Sequence, residues 1–153
     1  KTKLALQNDE SQFFRYGGWR VPGSGPGYRA VAGDVNFLND MRESYNIGWD
    51  TSEHHLPPYG PTRWPAHDTL PDFRDACDDY VQLLTAKSRQ LCRHIAEALG
   101  EQTGYFDAPG LFDCAPWLLG MVHYLPVVSN VAHHCYGIAP HQDDGIFTLL
   151  YTD

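Results

Sequence analysis

The sequence comprises 153 residues, which is the length of one domain and enough to bury a hydrophobic core. Its hydrophobic fraction of 42% is ordinary for a globular protein, and its 13% aromatic content argues against intrinsic disorder. The 19 acidic residues outnumber the 11 basic ones and give a net charge of −8, which argues against nucleic acid or an anionic membrane as partner. No apolar run reaches the roughly 18 residues that a membrane-spanning helix needs.

The four cysteines lie far apart, at positions 77, 92, 114 and 135, and form no C-x-x-C pair. This spacing does not indicate a zinc ribbon or a thioredoxin-like site. Cys77 and Cys92 fall within a predicted helix, where buried free thiols are expected. Free thiols are typical of reducing compartments, so we expect a cytoplasmic protein.

The first part of the chain, residues 1–70, is predicted to be rich in loops. Residues 1–16 are expected to form the end of a short helix, and the glycine- and proline-rich residues 17–33 a loop. Residues 39–50 mix charged with aromatic side chains and are expected to be a short extended segment. The proline-rich residues 54–65 are expected to form an irregular connection.

A long amphipathic helix is predicted over residues 71–100. Apolar residues recur there at steps of three and four: Phe73, Ala76, Tyr80, Leu84, Leu91, Ile95 and Leu99. Pro71 suits the first helical position and Gly100 the end of the helix. Several aspartates crowd the first half of this helix, and we interpret them as a solvated face near the positive end of the helix dipole rather than as a metal site.

Beyond the helix, the sequence predicts strands. Residues 116–127 (PWLLGMVHYLPV) and 145–153 (GIFTLLYTD) are short runs of branched and aromatic residues. One long helix followed by short strands predicts an α+β domain. We treat residues 1–153 as a single domain whose last part, residues 115–153, contains the first strands of a sheet.

A metal-binding pattern lies just before the last of these runs. In an extended segment, residues two apart project from the same face, so His141 and Asp143 would present an imidazole and a carboxylate together. With one further histidine, these groups make the 2-His-1-carboxylate triad of non-haem iron(II) oxygenases. The H-x-D tripeptide is expected by chance in a chain of this composition, so its neighbourhood carries the argument.

That neighbourhood resembles the iron-binding segment of the isopenicillin N synthase-like family of iron(II)/2-oxoglutarate-dependent dioxygenases. The family pattern H-T-D-x-G-x-x-T-L-L is matched in register by His141, Asp143, Gly145, Thr148, Leu149 and Leu150. Three upstream stretches, MRESYNIGWD, GPTRWP with the long helix, and MVHYLPV, are similar to family segments in the same order. The resemblance extends over about residues 4 to 153.

The resemblance implies a double-stranded β-helix, or jelly roll, supported by the long helix. It implies His141 and Asp143 as iron(II) ligands, and 2-oxoglutarate, O₂ and a small organic molecule as reactants in hydroxylation, desaturation or cyclisation. His123 stands where relatives often carry a residue near the co-substrate. A strand histidine that is satisfied inside the core is the alternative for His123.

The family's second ligand histidine and its R-x-S pair follow the aspartate at a distance, and the family also begins with an earlier segment. By this resemblance we expect the chain to be a central portion of a dioxygenase, with the third ligand unidentified; His133 and His134 are the nearest spare histidines. An inactive truncated fragment with a binding or structural role is the alternative function. A zinc hydrolase built from the paired histidines at 54–55 and 133–134 ranks last, because no H-E-x-x-H spacing exists.

Overall fold

The structure is a computed structural model. It describes residues 3, 18–20, 39–48, 62–112, 117–126, 128, 130, 132, 135–138, 143 and 145–152. The chain divides into two compact units: Lys1–Pro65 together with Leu118–Asp153, and Ala66–Trp117. The first unit contains the described strands and the second the described long helix.

A three-stranded antiparallel sheet organises the first unit. Its central strand is β3 (Arg42–Gly48), flanked by β1 (Gly18–Arg20) and β4 (Leu118–Tyr124). The register with β1 pairs Trp19 with Tyr45, and the register with β4 pairs Glu43 with His123 and Ile47 with Leu119. Residues far apart in sequence are therefore brought onto one surface by β3.

Alternation along β3 gives this sheet one face with two different ends. Glu43, Tyr45 and Ile47 share the face because successive strand residues point to opposite sides. Ile47 is 1% exposed and is the largest fully buried side chain described. The face therefore changes from an apolar end at Ile47 to a charged end at Glu43.

A second, shorter sheet joins β2 (Asn39–Asp40) in parallel to β5 (Cys135–Tyr136). A backbone hydrogen bond extends the pairing of β2 with β5, since Met41 N–H donates to the carbonyl of Tyr136 at 2.8 Å. Gly137 follows β5 and packs close to the ring of Tyr124, so that a β-carbon at Gly137 would lie 2.9 Å from Tyr124 Cδ1. This close approach explains why a residue without a side chain occupies position 137.

The second unit is built on helix α1 (Phe73–Ala98). Asp72 is its N-cap residue, with φ of 61° and no side-chain capping bond. At the other end Gly100 N–H donates to Glu97 O and Glu101 N–H to Ala96 O, and Gly100 has φ of 81°. These bonds form a Schellman motif, in which glycine is favoured at the left-handed position.

A single 3₁₀ turn, Tyr105–Asp107, lies after α1 and is tied back to it. Arg93 Nε donates to Asp107 Oδ2 at 2.8 Å, which pairs the helix with the turn. The ring of Phe106 contacts that of Phe112 with centroids 5.3 Å apart. An ion pair and an aromatic contact thus hold residues 105–112 in the second unit.

The strongest sequence predictions are confirmed. The helix predicted over residues 71–100 is observed as Phe73–Ala98, with Pro71 preceding the N-cap instead of opening the helix. The extended segment predicted over residues 39–50 contains β2 and β3, and residues 116–127 contain β4. The predicted apolar stripe of α1 is less buried than expected, because Tyr80, Leu91 and Leu99 are 42%, 38% and 68% exposed.

Two local predictions are wrong. Gly18–Arg20, predicted as loop from the surrounding glycines, forms β1 because pairing with β3 outweighs local propensity. Residues 145–152, predicted as a strand, are described without strand structure. Leu149 and Leu150 are adjacent in the chain and are 43% and 84% exposed. Neither side of this segment is therefore buried at these residues, so burial does not stabilise a strand here.

Two further predictions lie mostly outside the described residues. Within the predicted helix 1–16 only Lys3 is described, and it is helical. Most of the predicted loop 17–33 is not described.

In the ranges that are described, no helix combines the length and apolar character needed to cross a bilayer.

Candidate functional site

Asp143 is the predicted metal ligand that the structure describes. Its carboxylate is exposed, and Thr148 Oγ1 donates a hydrogen bond to Asp143 Oδ2 at 2.5 Å. The other predicted ligand, His141, lies outside the described residues. The structure therefore gives the surroundings of the carboxylate half of the predicted site.

The donor types of this pair fit iron(II). A carboxylate oxygen and a neutral imidazole nitrogen are both ligands that iron(II) accepts, and two such groups leave positions for further ligands. Asp143 lies at the surface, where its carboxylate is accessible to a metal. The chemistry of the predicted donors is thus compatible with the metal that the resemblance implies.

His123 lies on β4, directly opposite Glu43 of β3. Its Nδ1 is 3.1 Å from Glu43 Oε1, and its side chain is 68% exposed. The ring therefore lies at the charged end of the sheet face and not in the buried core. An ionised carboxylate only accepts hydrogen bonds, so Nδ1 carries the hydrogen in this pair and Nε2 holds the lone pair of a neutral ring.

Glu43 is the centre of a network that joins four segments of the chain. Lys3 Nζ lies 2.8 Å from both carboxylate oxygens, and Trp19 Nε1 donates to Oε2 at 3.0 Å. With the His123 contact, both oxygens of Glu43 have two partners each. We refer to Lys3, Trp19, Glu43 and His123 as the Glu43 network.

The network holds Glu43 as an anion. Hydrogen bonds from Lys3, His123 and Trp19, in that order of size, lower the pKa of Glu43 from 4.5 to about 2. Each of these donors stabilises the charged form of the carboxylate more than the neutral form. Glu43 is therefore a fixed negative charge beside His123 at neutral pH.

Sequence reasoning does not single out Glu43. The stretch MRESYNIGWD contributes only its family resemblance. A signal is present nevertheless, because Glu43 shares the i, i+2, i+4 face of a strand with Tyr45 and Ile47. A charged residue on an otherwise apolar strand face predicts a partner on a neighbouring strand.

The other predicted candidates contribute little to a site. The histidines at 54, 55, 133 and 134 lie outside the described residues. Among the residues that are described, no three His, Cys, Asp or Glu side chains come together as a metal site. Cys77 and Cys92 are free thiols, and burial raises the pKa of each, which makes them poor nucleophiles.

Comparisons with known proteins identify relatives of this chain. No protein-family model matches it. It is 36% identical to azadirone synthase LFS of Melia azedarach over an alignment of 133 residues that covers 84% of this chain. It is 27% identical to the 2-oxoglutarate-dependent dioxygenase ecdK of Aspergillus rugulosus over an alignment of 160 residues that covers 99% of this chain. The chain spans 40% and 46% of the length of these two relatives.

A solved structure shares the fold. The crystal structure of a full-length Neurospora crassa protein in complex with alpha-KG matches 76% of this chain and 36% of that chain, with a TM-score of 0.50 and 24% sequence identity. This likeness concerns the fold alone. The sequence relatives, two of them named as 2-oxoglutarate-dependent dioxygenases, show that the chain belongs to the family of iron(II)- and 2-oxoglutarate-dependent oxygenases.

Proposed function

We propose that the whole protein is a non-haem iron(II) dioxygenase that oxidises a small organic molecule with O₂ and 2-oxoglutarate. The observation that carries the proposal is the motif HQDDGIFTLL in a chain that belongs to this oxygenase family. The proposed outcome is hydroxylation, desaturation or ring closure of the substrate. All three begin with removal of hydrogen from carbon, so they share one site.

His141 and Asp143 would hold the iron in this proposal. Bound iron(II) would supply the activation of O₂, and the protein would supply an ordered site for it. Asp143 contributes a charged oxygen ligand whose surroundings include the Thr148 hydroxyl. The third ligand stays unassigned.

His123 is our candidate for a contact with the co-substrate. It is exposed on β4, so a small carboxylic acid has access to its ring. Glu43 Oε1 lies 3.1 Å from Nδ1 and orients the ring. In this proposal, 2-oxoglutarate would contact His123 on the Nε2 side of the ring.

We also propose that the whole protein folds as a double-stranded β-helix supported by α1. The antiparallel sheet β1–β3–β4 and the fold likeness to the Neurospora crassa structure support this architecture. A crystal structure of the whole protein tests it. An open sheet without the second half of a jelly roll would contradict the proposal.

The activity is tested with the whole protein, iron(II), 2-oxoglutarate and a panel of small organic molecules. We expect oxygen uptake coupled to succinate release, with strong loss for Asp143→Ala. Asp144→Asn is the matched control, because Asp144 is the neighbouring aspartate in the sequence and is not part of the H-x-D pattern. If wild-type protein consumes no oxygen and releases no succinate under these conditions, the proposal is wrong.

The role of His123 is separable from that of the metal ligands. We expect His123→Ala to raise the KM for 2-oxoglutarate several-fold while metal binding stays at the wild-type level. An unchanged KM would remove His123 from the co-substrate site without affecting the proposed reaction.

A further inference from the structure

The segment around Asp143 contains a donor aimed at the proposed metal ligand. Thr148 Oγ1 donates to Asp143 Oδ2 across five residues of chain. Gly145 and Ile146 form a bend between them, and Phe147 is half-buried whereas Ile146 is 66% exposed. The half-buried Phe147 directly precedes Thr148, whose hydroxyl bridges back to the carboxylate.

This bond restricts a group that burial does not restrict. Asp143 and Thr148 are both exposed, so packing alone does not fix the rotation of the carboxylate about its side-chain bonds. A hydrogen bond to an ionised carboxylate is stronger than one between neutral groups. The Thr148 bond therefore favours one orientation of the Asp143 carboxylate before a metal arrives.

The bond is also compatible with metal binding. A carboxylate has two oxygens and about four lone-pair positions, so a hydrogen bond from Thr148 and a bond to a metal can share the same carboxylate. Partners that orient a ligating carboxylate typically change metal affinity by about 10- to 100-fold when they are removed. A hydroxyl that only donates to Asp143 would act in this way.

We propose that Thr148 is a positioning residue for Asp143, and that its hydroxyl fixes the carboxylate orientation in which Asp143 binds the metal. This inference rests on the proposed function, because it takes Asp143 as a metal ligand. It adds a role for a side chain that reaches the metal only through another residue.

The test measures metal affinity of the whole protein with Mn(II) as a redox-inactive probe, by calorimetry and by the Mn(II) electron paramagnetic resonance signal. We expect Thr148→Val to weaken Mn(II) binding by at least about tenfold, because valine keeps the shape and removes the donor. Thr148→Ser keeps the hydroxyl and is expected to bind within about threefold of wild type. Thr152→Val is the matched control, since Thr152 is an exposed threonine of the same segment.

A double-mutant cycle of Thr148→Val with Asp143→Asn isolates the contribution of the Thr148–Asp143 interaction to Mn(II) affinity. In the Asp143→Asn background, Thr148→Val is expected to cause no further loss of Mn(II) affinity, because the anion that the hydroxyl orients is gone. A loss of the same size in both backgrounds would overturn the inference. Equal weakening by Thr148→Val and Thr148→Ser would also overturn it, as would tighter binding by Thr148→Val.

Failure of this inference is distinguishable from failure of the proposed function. Wild-type succinate release with unchanged Mn(II) affinity in Thr148→Val overturns the role of Thr148 and leaves the dioxygenase proposal intact. Absence of both Mn(II) binding and succinate release in wild type overturns the two together. Circular dichroism of each variant separates loss of fold from loss of the hydroxyl.

Discussion

Glu43 and His123 face each other across β3 and β4, with Glu43 Oε1 3.1 Å from His123 Nδ1. The two residues are 80 positions apart in the sequence. Lys3 and Trp19 bind the same carboxylate from two further segments. Register between strands, not closeness in sequence, therefore brings Glu43 and His123 together.

The Glu43 network is expected to make stability depend on acid pH. The pKa of Glu43 is lowered from 4.5 to about 2 in the folded protein. A lowered folded-state pKa contributes stability above the unfolded pKa, and that contribution is lost as the pH falls from about 4.5 toward about 2. We expect Glu43→Gln to be less stable than wild type at neutral pH and to lose less stability on acidification.

Urea unfolding at about pH 5 and about pH 3 measures this difference. Glu101→Gln is the control, because Glu101 is an exposed glutamate in the other unit. Equal slopes of unfolding free energy against pH for wild type and Glu43→Gln would contradict the role assigned to Glu43.

Ile47 is expected to be the residue of the described sheet whose truncation costs most. It is 1% exposed, so Ile47→Ala removes buried methyl groups and leaves a cavity. Substitutions of this type cost about 2–5 kcal/mol. Thermal or chemical unfolding measures the loss, and Val122→Ala, at a position that is 40% exposed on the opposite face of the sheet, is expected to cost much less. Equal losses of stability in Ile47→Ala and Val122→Ala would contradict the assignment of Ile47 to the core.

Gly137 is expected to be sensitive to an added methyl group. A β-carbon there meets Tyr124 Cδ1 at 2.9 Å and Cε1 at 3.2 Å. Overpacking costs about 1–3 kcal/mol, and we expect about 1 kcal/mol for Gly137→Ala because the half-exposed Tyr124 ring yields in part. In a Tyr124→Ala background the sign should reverse, since alanine then only reduces the freedom of the unfolded chain. Unfolding of the four variants tests this, and the same loss in both backgrounds would refute the contact.

Glu97 is expected to depend on Thr103 more than on His94. Thr103 Oγ1 donates to Glu97 Oε1 at 2.7 Å, and this bond is the largest cause that lowers the pKa of Glu97, followed by His94. We expect Thr103→Val to raise the pKa of Glu97 further toward 4.5 than His94→Gln does. The pKa of Glu97 in each variant is measured from the chemical shift of its side-chain carboxyl carbon in an NMR titration. Thr85→Val, at an exposed helical threonine, should change nothing, and a larger effect from His94→Gln would reverse the assignment.

The sequence predicts elements well where their pattern is local. The apolar repeat of α1 and the glycine that ends it are local signals, and the helix is observed with Gly100 in the left-handed conformation just beyond its C-cap. β1 depends on a partner that lies beyond it in the chain, so its local glycines predict a loop instead. The apolar residues near Leu150 show the opposite error, because branched side chains alone do not form a strand without a neighbour.

The candidate site follows the same division. The H-x-D motif and the role of Asp143 as a candidate ligand are predicted from residue types and spacing. The bond from Thr148 to Asp143 depends on a bend at Gly145 and Ile146, which the predicted strand would not have allowed. The family resemblance singles out His123, but its partner Glu43 becomes apparent only through the register of β3 with β4.

The placement of β4 has a consequence for synthesis on the ribosome. β3 pairs with β1, which precedes it, and with β4, which follows the whole Ala66–Trp117 unit. While that unit is being translated, β4, which is the described partner of the second edge of β3, has not yet been made. Closing such a long loop costs entropy that local helix formation does not, so α1 is expected to form first. Nascent chains stalled before Leu118 would therefore expose an unpaired edge of β3 along Glu43 and Ile47. Binding by a chaperone would protect the chain most at this stage of synthesis.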